Sequence, residues 1–595
     1  MRSAESGVRS LEFGVWSSES GVRSPEFGVG KIATPNTRPQ TPNSFMVDFV
    51  ENRTGDSSPM KKTVGAWSSE SRLSRLRTPD SRLRILCAIL LFAFFAIGQT
   101  GAAAQQIPYL SELFSRYQEF NRLYTQKRKA GANLAAIDPL RKRAEQSFKQ
   151  GNIPGIIEVL GEAQTLLVGK KWDESQRFVA SLTLETDRLV IEPNQVLQIS
   201  VTRMFQTNID KAFSSTPTLT LSIVAVEGAP KPSDSKSPRA PAKPIVIAER
   251  LDVGETSSIA SRRLLLPDGV YDVVALIEAG GQRVAELRRP IYAIADFSDS
   301  VSQMSKAIAA IKNSSDAKVK AIAPLVATPE FQLLRLAQLN RTRGEVELNP
   351  NQEIDRIENV LSALAKGEDP FAAERGALER AYQSGDHQLV PYRVSVPRGY
   401  DGASPTPMVV MLHGPLGDER YYFSGLFDSA VVKGEADRRG WILVGVNGRS
   451  RFSSYSGPAQ KDVFDVIEAV TRDYKIDASR IYLTGHSTGG FGTWLVASAK
   501  PQQFAAIAAV SGGPPAQGDA LAALLEKVKG IPAMIAHGAQ DGIAPVQLSR
   551  TMAAACEKAG LKVTYLEVPE GDHLSVVAST FPAVMDFFEK NAKSK

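Results

Sequence analysis

The sequence predicts a multidomain protein whose C-terminal part is an α/β domain, with a mostly parallel sheet covered by helices on both faces. From residue 387 onward, short apolar strand candidates alternate with helical segments, as a parallel sheet buried on both faces requires. Upstream, the hydrophobic period changes from helical to alternating and back to helical, which predicts helical segments and a β-sandwich before the α/β domain. The predicted regions are 1–81, 82–104, 105–172, 173–297, 298–385 and 386–595.

The composition is that of a globular protein and excludes several other classes. The 595-residue chain is 43% hydrophobic and 23% charged, which excludes a wholly disordered, collagen-like or multi-span membrane protein. Its two cysteines, Cys87 and Cys556, exclude a disulfide scaffold and a zinc finger held by thiolates. The net charge is +6, but residues 1–104 hold 13 Lys and Arg against 9 Asp and Glu. The rest is close to neutral, so no nucleic-acid partner is expected.

The first 81 residues contain a short repeat but no domain pattern. The sequence SGVRSLEFGV at 6–15 returns almost unchanged at 20–29, and two such copies are too few for a solenoid. The segment is rich in Ser, Gly, Pro and Arg and has no sustained apolar period. We interpret it as a low-complexity extension that is either disordered or translated upstream DNA, with Met46 and Met60 as alternative starts.

Residues 82–104 have the three parts of a secretory signal peptide. Arg82 and Arg84 precede the apolar run 85–97, and small residues ending at Ala104 offer a cleavage site. The alternative is a single membrane anchor, but thirteen residues of helix span only about 20 Å of a roughly 30 Å hydrocarbon core. We therefore expect export, to the periplasm or out of the cell, with cleavage near Ala104 and no stable membrane anchor afterwards.

Three regions separate the signal from the α/β domain. Apolar residues at three- and four-residue steps predict a helical hairpin in 105–172, with a partner-binding coil as the alternative. In 173–297 apolar and polar residues alternate, as in Phe178–Leu184 and Val270–Leu276, which predicts a sandwich resembling the immunoglobulin architecture. The helical period returns in 298–385, which we interpret as a helical linker region.

A nucleophile candidate lies between a predicted strand and a predicted helix of the C-terminal domain. The string Gly-His-Ser-Thr-Gly at 485–489 follows the strand-like segment Arg480–Thr484 and precedes a helical one. A nucleophilic serine at such a point needs a turn too tight for neighbouring side chains, which explains the glycines around Ser487. The backbone N–H of Thr488, at the helix start, would stabilise an oxyanion. The alternative is a purely structural Gly-rich turn.

An acid and a base follow at the ends of two later strands. Asp541 lies 54 residues after Ser487, and His573 lies 32 residues after Asp541, so the order is Ser, Asp, His. His573 would take the proton of the Ser487 hydroxyl, and Asp541 would orient the imidazole and stabilise its cation. Asp572 is the rival acid, and the alternative role for Asp541 is to form a turn.

The loop after the strand-like residues 409–412 is expected to supply the second oxyanion donor. It reads His413-Gly414-Pro415-Leu416, and Pro415 has no N–H to donate. The donor must therefore be Gly414 or Leu416, while His413 is expected to be a structural residue of the loop. No metal-ligand spacing and no phosphate-binding loop occurs in this region, so neither a metal nor a cofactor is expected.

Taken together, these strings resemble the secreted α/β-hydrolase superfamily over residues 387–592. Its relevant members are feruloyl-esterase-like and polyhydroxybutyrate-depolymerase-like esterases and prolyl-oligopeptidase-like peptidases. The resemblance implies the α/β-hydrolase fold and a catalytic triad of Ser487, Asp541 and His573, whereas Pro415 departs from the commoner glycine-rich oxyanion loop. The matching strings are LVPYRVSVP at 389–397, LHG at 412–414, DASRIYLTGHS at 477–487 and GGFGTW at 489–494.

The sequence thus predicts an exported serine hydrolase that cleaves carboxylic esters through an acyl-enzyme. Only residues 511–531 separate two consecutive strands near the site, which leaves little room for a lid and favours a bulky or polymeric ester, including one linked to a polysaccharide. The alternative is a prolyl-oligopeptidase-like serine peptidase acting on peptides. The roughly 120 strand-like residues upstream are too few for the propeller that such peptidases carry. A second alternative is a non-catalytic scaffold that keeps the fold.

Overall fold

The computed structural model describes the chain from residue 109 to residue 593. Within that span it omits 138, 151, 227–242, 254–255, 339–347, 416, 424–428, 451–452 and 542. The predictions made for 1–81, for the signal peptide 82–104 and for Leu416 lie outside the described residues. Within the described part, no helix combines the length and the apolar character needed to cross a membrane.

The first described residues form four helices, of which the first three share one apolar core. Ile156, Ile157 and Leu160 of the third helix are buried among Leu113 and Phe120 of the first. The side chain of Asn152 accepts the Gly155 N–H at 3.0 Å and so caps that third helix. The helices are α1 Leu110–Lys129, α2 Leu140–Lys149, α3 Ile153–Leu167 and α4 Glu174–Ser181.

Two β-sheets follow and face each other across a second core. Leu184 and Val201 of one sheet are buried in the same cluster as Leu221 and Val273 of the other. The first sheet has the order β1-β3-β6 and the second has the order β2-β8-β7-β4-β5. The immunoglobulin-like assignment stays a prediction. The elements are β1 Leu182–Thr186, β2 Val190–Ile191, β3 Gln198–Arg203, α5 Ile209–Ala212, β4 Thr218–Ala225, β5 Ile245–Asp252, β6 Thr256–Ala260, β7 Gly269–Ala279 and β8 Gln282–Ala293.

One strand prediction in this region differs from the structure. The alternating residues Phe178–Leu184 predict a strand, but the chain is helical up to Ser181 and β1 begins only at Leu182. The Asp173 side chain accepts the Gln176 N–H at 3.0 Å, and this N-cap starts the helix that includes Phe178. The N-cap formed by Asp173 therefore favours a helix here, although the alternating apolar pattern predicts a strand.

The next helices pack on the edge of the C-terminal sheet. Arg335 of the third helix lies 3.0 Å from the buried carboxylate of Glu379, and the Ala381 N–H donates to the Thr328 hydroxyl at 3.0 Å. The helical region is therefore tied to that sheet by an ion pair and a buried hydrogen bond. Its helices are α6 Phe297–Lys312, α7 Ala317–Ile322, α8 Ala327–Gln338 and α9 Pro350–Ala365.

The C-terminal sheet has eight strands in the order β16-β15-β14-β13-β11-β12-β10-β9. Its β11 to β16 pair in parallel, whereas β10 runs antiparallel to β12 and to β9. The sheet begins at Gly376, whereas the sequence analysis placed the domain boundary at 386. Strand β9 contains Glu379 and Arg380, and these charged residues hide its strand character. The strands are β9 Gly376–Gln383, β10 Leu389–Val396, β11 Thr406–Leu412, β12 Ile442–Val446, β13 Ile476–His486, β14 Ala506–Val510, β15 Ala533–Gly538 and β16 Val563–Val568.

Helices cover both faces of this sheet, as predicted. On β11, Val410 and Leu412 belong to the cluster that contains Trp494, whereas Val409 and Met411 belong to the cluster on the other face. Alternate side chains of a central strand are thus buried on both faces, which is why the strand is apolar throughout. The covering helices are α10 Ser429–Arg439, α11 Pro458–Asp473, α12 Thr488–Ala499, α13 Gly518–Val528, α14 Gln547–Lys558 and α15 Ser575–Glu589.

The parallel strands bring the predicted site residues to one edge of the sheet. Gly414 follows β11, Ser487 follows β13, Asp541 follows β15 and His573 follows β16. Because carboxyl ends of parallel strands lie on the same edge, residues far apart in the sequence meet there.

Candidate active site

Ser487 occupies a strained turn between β13 and α12. Its φ is 57° and its ψ is −118°, in a region that non-glycine residues rarely adopt. The turn is held because the Ser487 N–H donates to the Val510 carbonyl at 2.9 Å and the Ser487 carbonyl accepts the Gly490 N–H at 2.9 Å. The backbone of the neighbouring strand and the first turn of the helix therefore fix the serine at the strand end.

The glycines on either side of Ser487 are required by close backbone approach. A Cβ on Gly485 would overlap the carbonyl of Gly489, and a Cβ on Gly489 would overlap the carbonyl of Leu412. Helix α12 can therefore begin directly against β11 and β13 only if both positions lack side chains. This is the steric demand from which the sequence analysis inferred a nucleophile turn.

Asp541 and His573 form a hydrogen-bonded pair. The Oδ2 of Asp541 lies 2.7 Å from Nδ1 of His573, and both side chains are buried. The other carboxylate oxygen, Oδ1, accepts the backbone N–H groups of Ile543 and Ala544, each at 2.9 Å. Asp541 therefore shapes its turn and contacts the histidine at the same time, so the two roles considered for it are compatible.

The charge of Asp541 is maintained by its neighbours. Burial by itself would raise the pKa of this carboxyl, but the charge of His573 and hydrogen bonds from His537 and His573 outweigh burial. The pKa of Asp541 therefore lies far below its usual range, and the group is an anion at neutral pH.

The rival acid, Asp572, is used elsewhere. Its Oδ1 accepts the N–H groups of Leu574 and Ser575 at 3.1 and 2.7 Å, and its own N–H donates to the Ser575 hydroxyl at 2.9 Å. These bonds close a tight turn directly before α15. The geometry therefore pairs His573 with Asp541, and Asp572 holds the turn before the helix.

The second ring nitrogen of His573 is left for another partner. Nε2 is buried and has no hydrogen-bond partner among the described residues. The ring lies 4.6 Å, centroid to centroid, from that of His486, which directly precedes Ser487. With Nδ1 donating to Asp541, the bare Nε2 can accept a proton, as a general base next to a serine must.

The three candidate oxyanion donors have different surroundings. Thr488 is the first residue of α12, where backbone N–H groups have no partner within the helix. Gly414 lies against the serine, because a Cβ built on it would be 3.2 Å from Cβ of Ser487. The same Cβ would lie 2.6 Å from the Tyr421 hydroxyl oxygen, so the Gly414 backbone also packs against that hydroxyl. Leu416 lies outside the described residues.

Three residues of this region were not predicted as part of the site. His537 Nε2 lies 3.1 Å from Oδ2 of Asp541, so the carboxylate is shared by two imidazoles. His486 Nε2 lies 2.7 Å from the carbonyl oxygen of His573, and His486 Nδ1 lies 2.8 Å from the hydroxyl of Tyr421. Both histidines lie at the carboxyl ends of strands, His486 in β13 and His537 in β15, but their contacts are long-range and no local pattern indicates them.

His413 is held by its two ring nitrogens, which agrees with the structural role expected for it. Nδ1 lies 2.7 Å from the Gly414 carbonyl and Nε2 lies 2.8 Å from the Asn447 carbonyl. The Tyr455 hydroxyl donates to the His413 carbonyl at 3.1 Å. In the described part of the chain, no three His, Cys, Asp or Glu residues are grouped so that they could hold a metal ion.

Comparison with known proteins gives a family for this part of the chain. Residues 457–592, which include Ser487, Asp541 and His573, match the phospholipase/carboxylesterase family. The C-terminal domain has an α/β-hydrolase-like fold. It combines the mostly parallel sheet, the glycine-flanked serine turn and the Asp–His pair described above.

Individual relatives match only part of this chain. Feruloyl esterase B of Talaromyces funiculosus is 30% identical over 123 residues, which are 19% of this chain and 34% of that protein. Acetylxylan esterase A of Emericella nidulans is 27% identical over 148 residues, 23% of this chain and 48% of that protein. The matched segments span between 16% and 48% of the curated relatives' lengths.

One similar solved structure is a serine-to-alanine mutant of the feruloyl esterase module from Clostridium thermocellum, complexed with sinapinate. It is 18% identical, covers 37% of this chain and 90% of that chain, and superposes with a TM-score of 0.31. A thermostable esterase covers 69% of this chain and 100% of that chain at 15% identity, with a TM-score of 0.32.

Proposed function

We propose that the protein is an exported serine hydrolase that cleaves carboxylic esters through an acyl-enzyme on Ser487. The observation that carries this proposal is the 2.7 Å contact between Asp541 Oδ2 and His573 Nδ1, which leaves Nε2 of His573 without a partner among the described residues. His573 and Ser487 both follow strands at the same edge of the sheet. The feruloyl and acetylxylan esterases among the relatives support an ester as substrate. Export rests on the predicted signal peptide at 82–104.

In the first half-reaction, Nε2 of His573 takes the proton of the Ser487 hydroxyl while Oγ attacks the ester carbonyl carbon. The carbonyl oxygen becomes an oxyanion, stabilised by the N–H of Thr488 and a second donor from the loop at 414–416. Asp541 stabilises the imidazolium. When the C–O bond breaks, the imidazolium gives its proton to the leaving alcohol, and the acyl group stays on Oγ.

In the second half-reaction, a water molecule replaces the alcohol. His573 takes one water proton, and the hydroxide oxygen attacks the acyl carbon. The bond to Oγ then breaks, the acid leaves, and the proton on Nε2 returns to Ser487. Both steps use the same base, so Ser487, His573 and Asp541 form one catalytic unit.

The substrate that we propose is bulky or polymeric, such as an acyl group on a polysaccharide. The connection between β14 and β15 contains only α13, and Leu524, Leu525 and Val528 of that helix are buried in the layer that covers the sheet. This connection therefore belongs to the core and does not form a lid. A site that this connection does not cover would accommodate a substrate chain that extends beyond the pocket.

The test compares an aryl ester and the anilide of the same acyl group, with the full-length protein and Ser487→Ala. We expect ester hydrolysis in the wild type, a loss of about 10⁴- to 10⁶-fold in turnover in Ser487→Ala, and little anilide cleavage. Comparable Ser487-dependent cleavage of the anilide would instead support the peptidase alternative. Ester turnover that survives the substitution would refute the catalytic assignment.

Ser511 provides a matched control for that substitution. It also follows a strand end, has a φ of 49°, and its buried hydroxyl has no partner among the described residues. Ser511→Ala therefore removes the same atom from a similar turn one strand away. We expect it to keep the wild-type turnover, so that a loss in Ser487→Ala is due to the nucleophile.

A further inference from the structure

A buried chain of hydrogen bonds runs behind the proposed catalytic residues. The Tyr421 hydroxyl lies 2.8 Å from His486 Nδ1, and His486 Nε2 lies 2.7 Å from the carbonyl oxygen of His573. A Cβ built on Gly414 would lie 2.6 Å from the same Tyr421 hydroxyl oxygen, so the Gly414 backbone packs against that hydroxyl. The chain therefore connects the loop after β11, the residue before Ser487 and the backbone of His573.

The carbonyl oxygen of His573, at the end of this series of hydrogen bonds, determines which atom donates in each of them. A carbonyl oxygen can only accept, so Nε2 of His486 must carry the proton and donate it to His573. For a neutral ring, Nδ1 is then the acceptor, and the Tyr421 hydroxyl donates to it. The Tyr421 hydroxyl and both ring nitrogens of His486 are therefore all engaged in hydrogen bonds.

The surroundings keep His486 neutral. Its side chain is completely buried, and this desolvation is the main reason that the pKa of His486 lies well below its usual range. The rings of His573 and His537 lower the pKa further, whereas the charge of Asp541 and the bond to the His573 carbonyl oppose this. A neutral imidazole keeps the single tautomer that the hydrogen bonds require.

We propose that Tyr421 and His486 are positioning residues, which fix the backbone of His573 and of Gly414 relative to Ser487. This inference rests on the proposed function and extends it to residues that do not touch the substrate. His486 is adjacent to Ser487 in the chain, so its ring ties the nucleophile turn directly to the loop that carries the base. Tyr421 then adds the oxyanion loop to the same unit.

The position of the base has a steep effect on rate. Proton transfer from Ser487 needs Nε2 of His573 within hydrogen-bond reach, and misplacement by about 1 Å can cost on the order of 100-fold. Asp541 holds the His573 side chain at Nδ1, whereas His486 holds its main chain. The two contacts together restrain both ends of the residue.

The first arm of the test detects the tautomer without requiring catalysis. The chain has five histidines, so ¹⁵N-histidine labelling of the full-length protein gives a simple set of ring signals. We expect His486 to show a protonated Nε2 and a bare Nδ1 from about pH 5 to about pH 8. Assignment uses His486→Gln, which removes the signal. A protonated Nδ1, or a ring that titrates in this range, would overturn the proposal.

The second arm measures the reactivity of Ser487 with a fluorophosphonate, which needs no knowledge of the natural substrate. His486→Leu keeps the apolar bulk but removes both hydrogen bonds, and we expect the second-order labelling rate to fall by about 10- to 100-fold. His486→Gln offers one donor and one acceptor, so we expect it to recover most of the rate. Leu and Gln variants that label equally would refute a role for the hydrogen bonds.

Tyr421→Phe is compared with a matched control, Tyr482→Phe. Both hydroxyls are buried, but that of Tyr482 has no partner among the described residues and its ring stacks between Trp441 and Phe588. We expect Tyr421→Phe to lower the labelling rate and to change the His486 ring signals, while Tyr482→Phe changes neither. Circular dichroism confirms that each variant is folded.

The two proposals fail in different ways. If wild type labels no faster than Ser487→Ala, the proposed hydrolase function is wrong, and the ring signals of His486 alone decide whether the hydrogen-bonded chain exists. If wild type labels rapidly and folded His486→Leu labels at the same rate, the hydrolase function stands and the positioning role is overturned.

Discussion

Asp541→Asn tests the proposed catalytic pair most directly, because the structure dictates how the new amide must lie. In the wild type, Oδ1 accepts two backbone N–H groups, from Ile543 and Ala544. The amide oxygen of the variant must keep that place, since an NH₂ group there would face two backbone N–H donors that cannot change role, whereas the imidazoles of His573 and His537 beside Oδ2 can exchange tautomers. The NH₂ group is therefore placed where Oδ2 was, 2.7 Å from His573 Nδ1.

A donor at that point forces the wrong tautomer on the base. His573 Nδ1 would have to accept, so the ring proton would move to Nε2, which could no longer take a proton from Ser487. The fold of the turn is preserved, because both backbone bonds to Oδ1 remain. We expect turnover of an aryl ester to fall on the order of 10⁴-fold, with the thermal unfolding temperature changed far less.

Asp572→Asn is the control, since Asp572 also accepts two backbone N–H groups and is adjacent to His573. Its amide oxygen can keep both bonds of the turn before α15, and we expect nearly wild-type turnover. Steady-state kinetics of the three proteins on one ester decides the matter. If Asp541→Asn kept a tenth of the activity, or if Asp572→Asn lost as much as Asp541→Asn, the argument from the hydrogen bonds would be refuted.

Three further outcomes follow from the packing and the charges. Gly489→Ala should lower the free energy of unfolding, measured with urea, by about 1–3 kcal/mol, because the added methyl group would overlap the Leu412 carbonyl. Glu379→Gln should cost about 1–3 kcal/mol, since it removes the charge of one of the two buried carboxylates that pair with Arg335, whereas Lys461→Gln at an exposed pair should change little. Because the pKa of Asp541 is lowered in the folded protein, the stabilisation that its charge gives to the fold is complete above the unfolded-state pKa of about 3.9 and is lost as the pH falls further. The difference in unfolding free energy between wild type and Asp541→Asn should therefore be constant above about pH 5 and shrink below about pH 4.

Much of the C-terminal fold can be predicted from the sequence because its central strands are apolar throughout. Strand β11 is buried along its whole length, so its composition alone indicates a sheet covered on both faces. Strand β9 cannot be predicted in this way, because Glu379 and Arg380 are buried only through partners on other elements. Arg335 pairs with Glu379, and Asp473 lies 3.0 Å from Arg380. Such long-range pairing leaves no periodic trace in the sequence.

The same distinction applies to the candidate site. The glycines around Ser487 indicate a nucleophile turn because their steric requirement is local. Chain order suggested Asp541 as the acid, but its pairing with His573 depends on two loops that meet in space. The contact of Tyr421 with His486 joins residues that are 65 positions apart, and no spacing rule connects a tyrosine and a histidine over that distance.

The histidines of the site show why residue type alone does not assign a base. His413, His486 and His537 are as buried as His573, and each of the three has both ring nitrogens within 3.1 Å of a protein oxygen. His573 differs because Nδ1 contacts a carboxylate while its buried Nε2 has no partner among the described residues. A ring with both nitrogens engaged holds neighbouring backbone in place, whereas a ring with one nitrogen left bare can accept a proton. The hydrogen bonds thus distinguish three histidines that hold neighbouring residues in place from the one that can act as a base. The His486 variants test the first role, and Asp541→Asn tests the second.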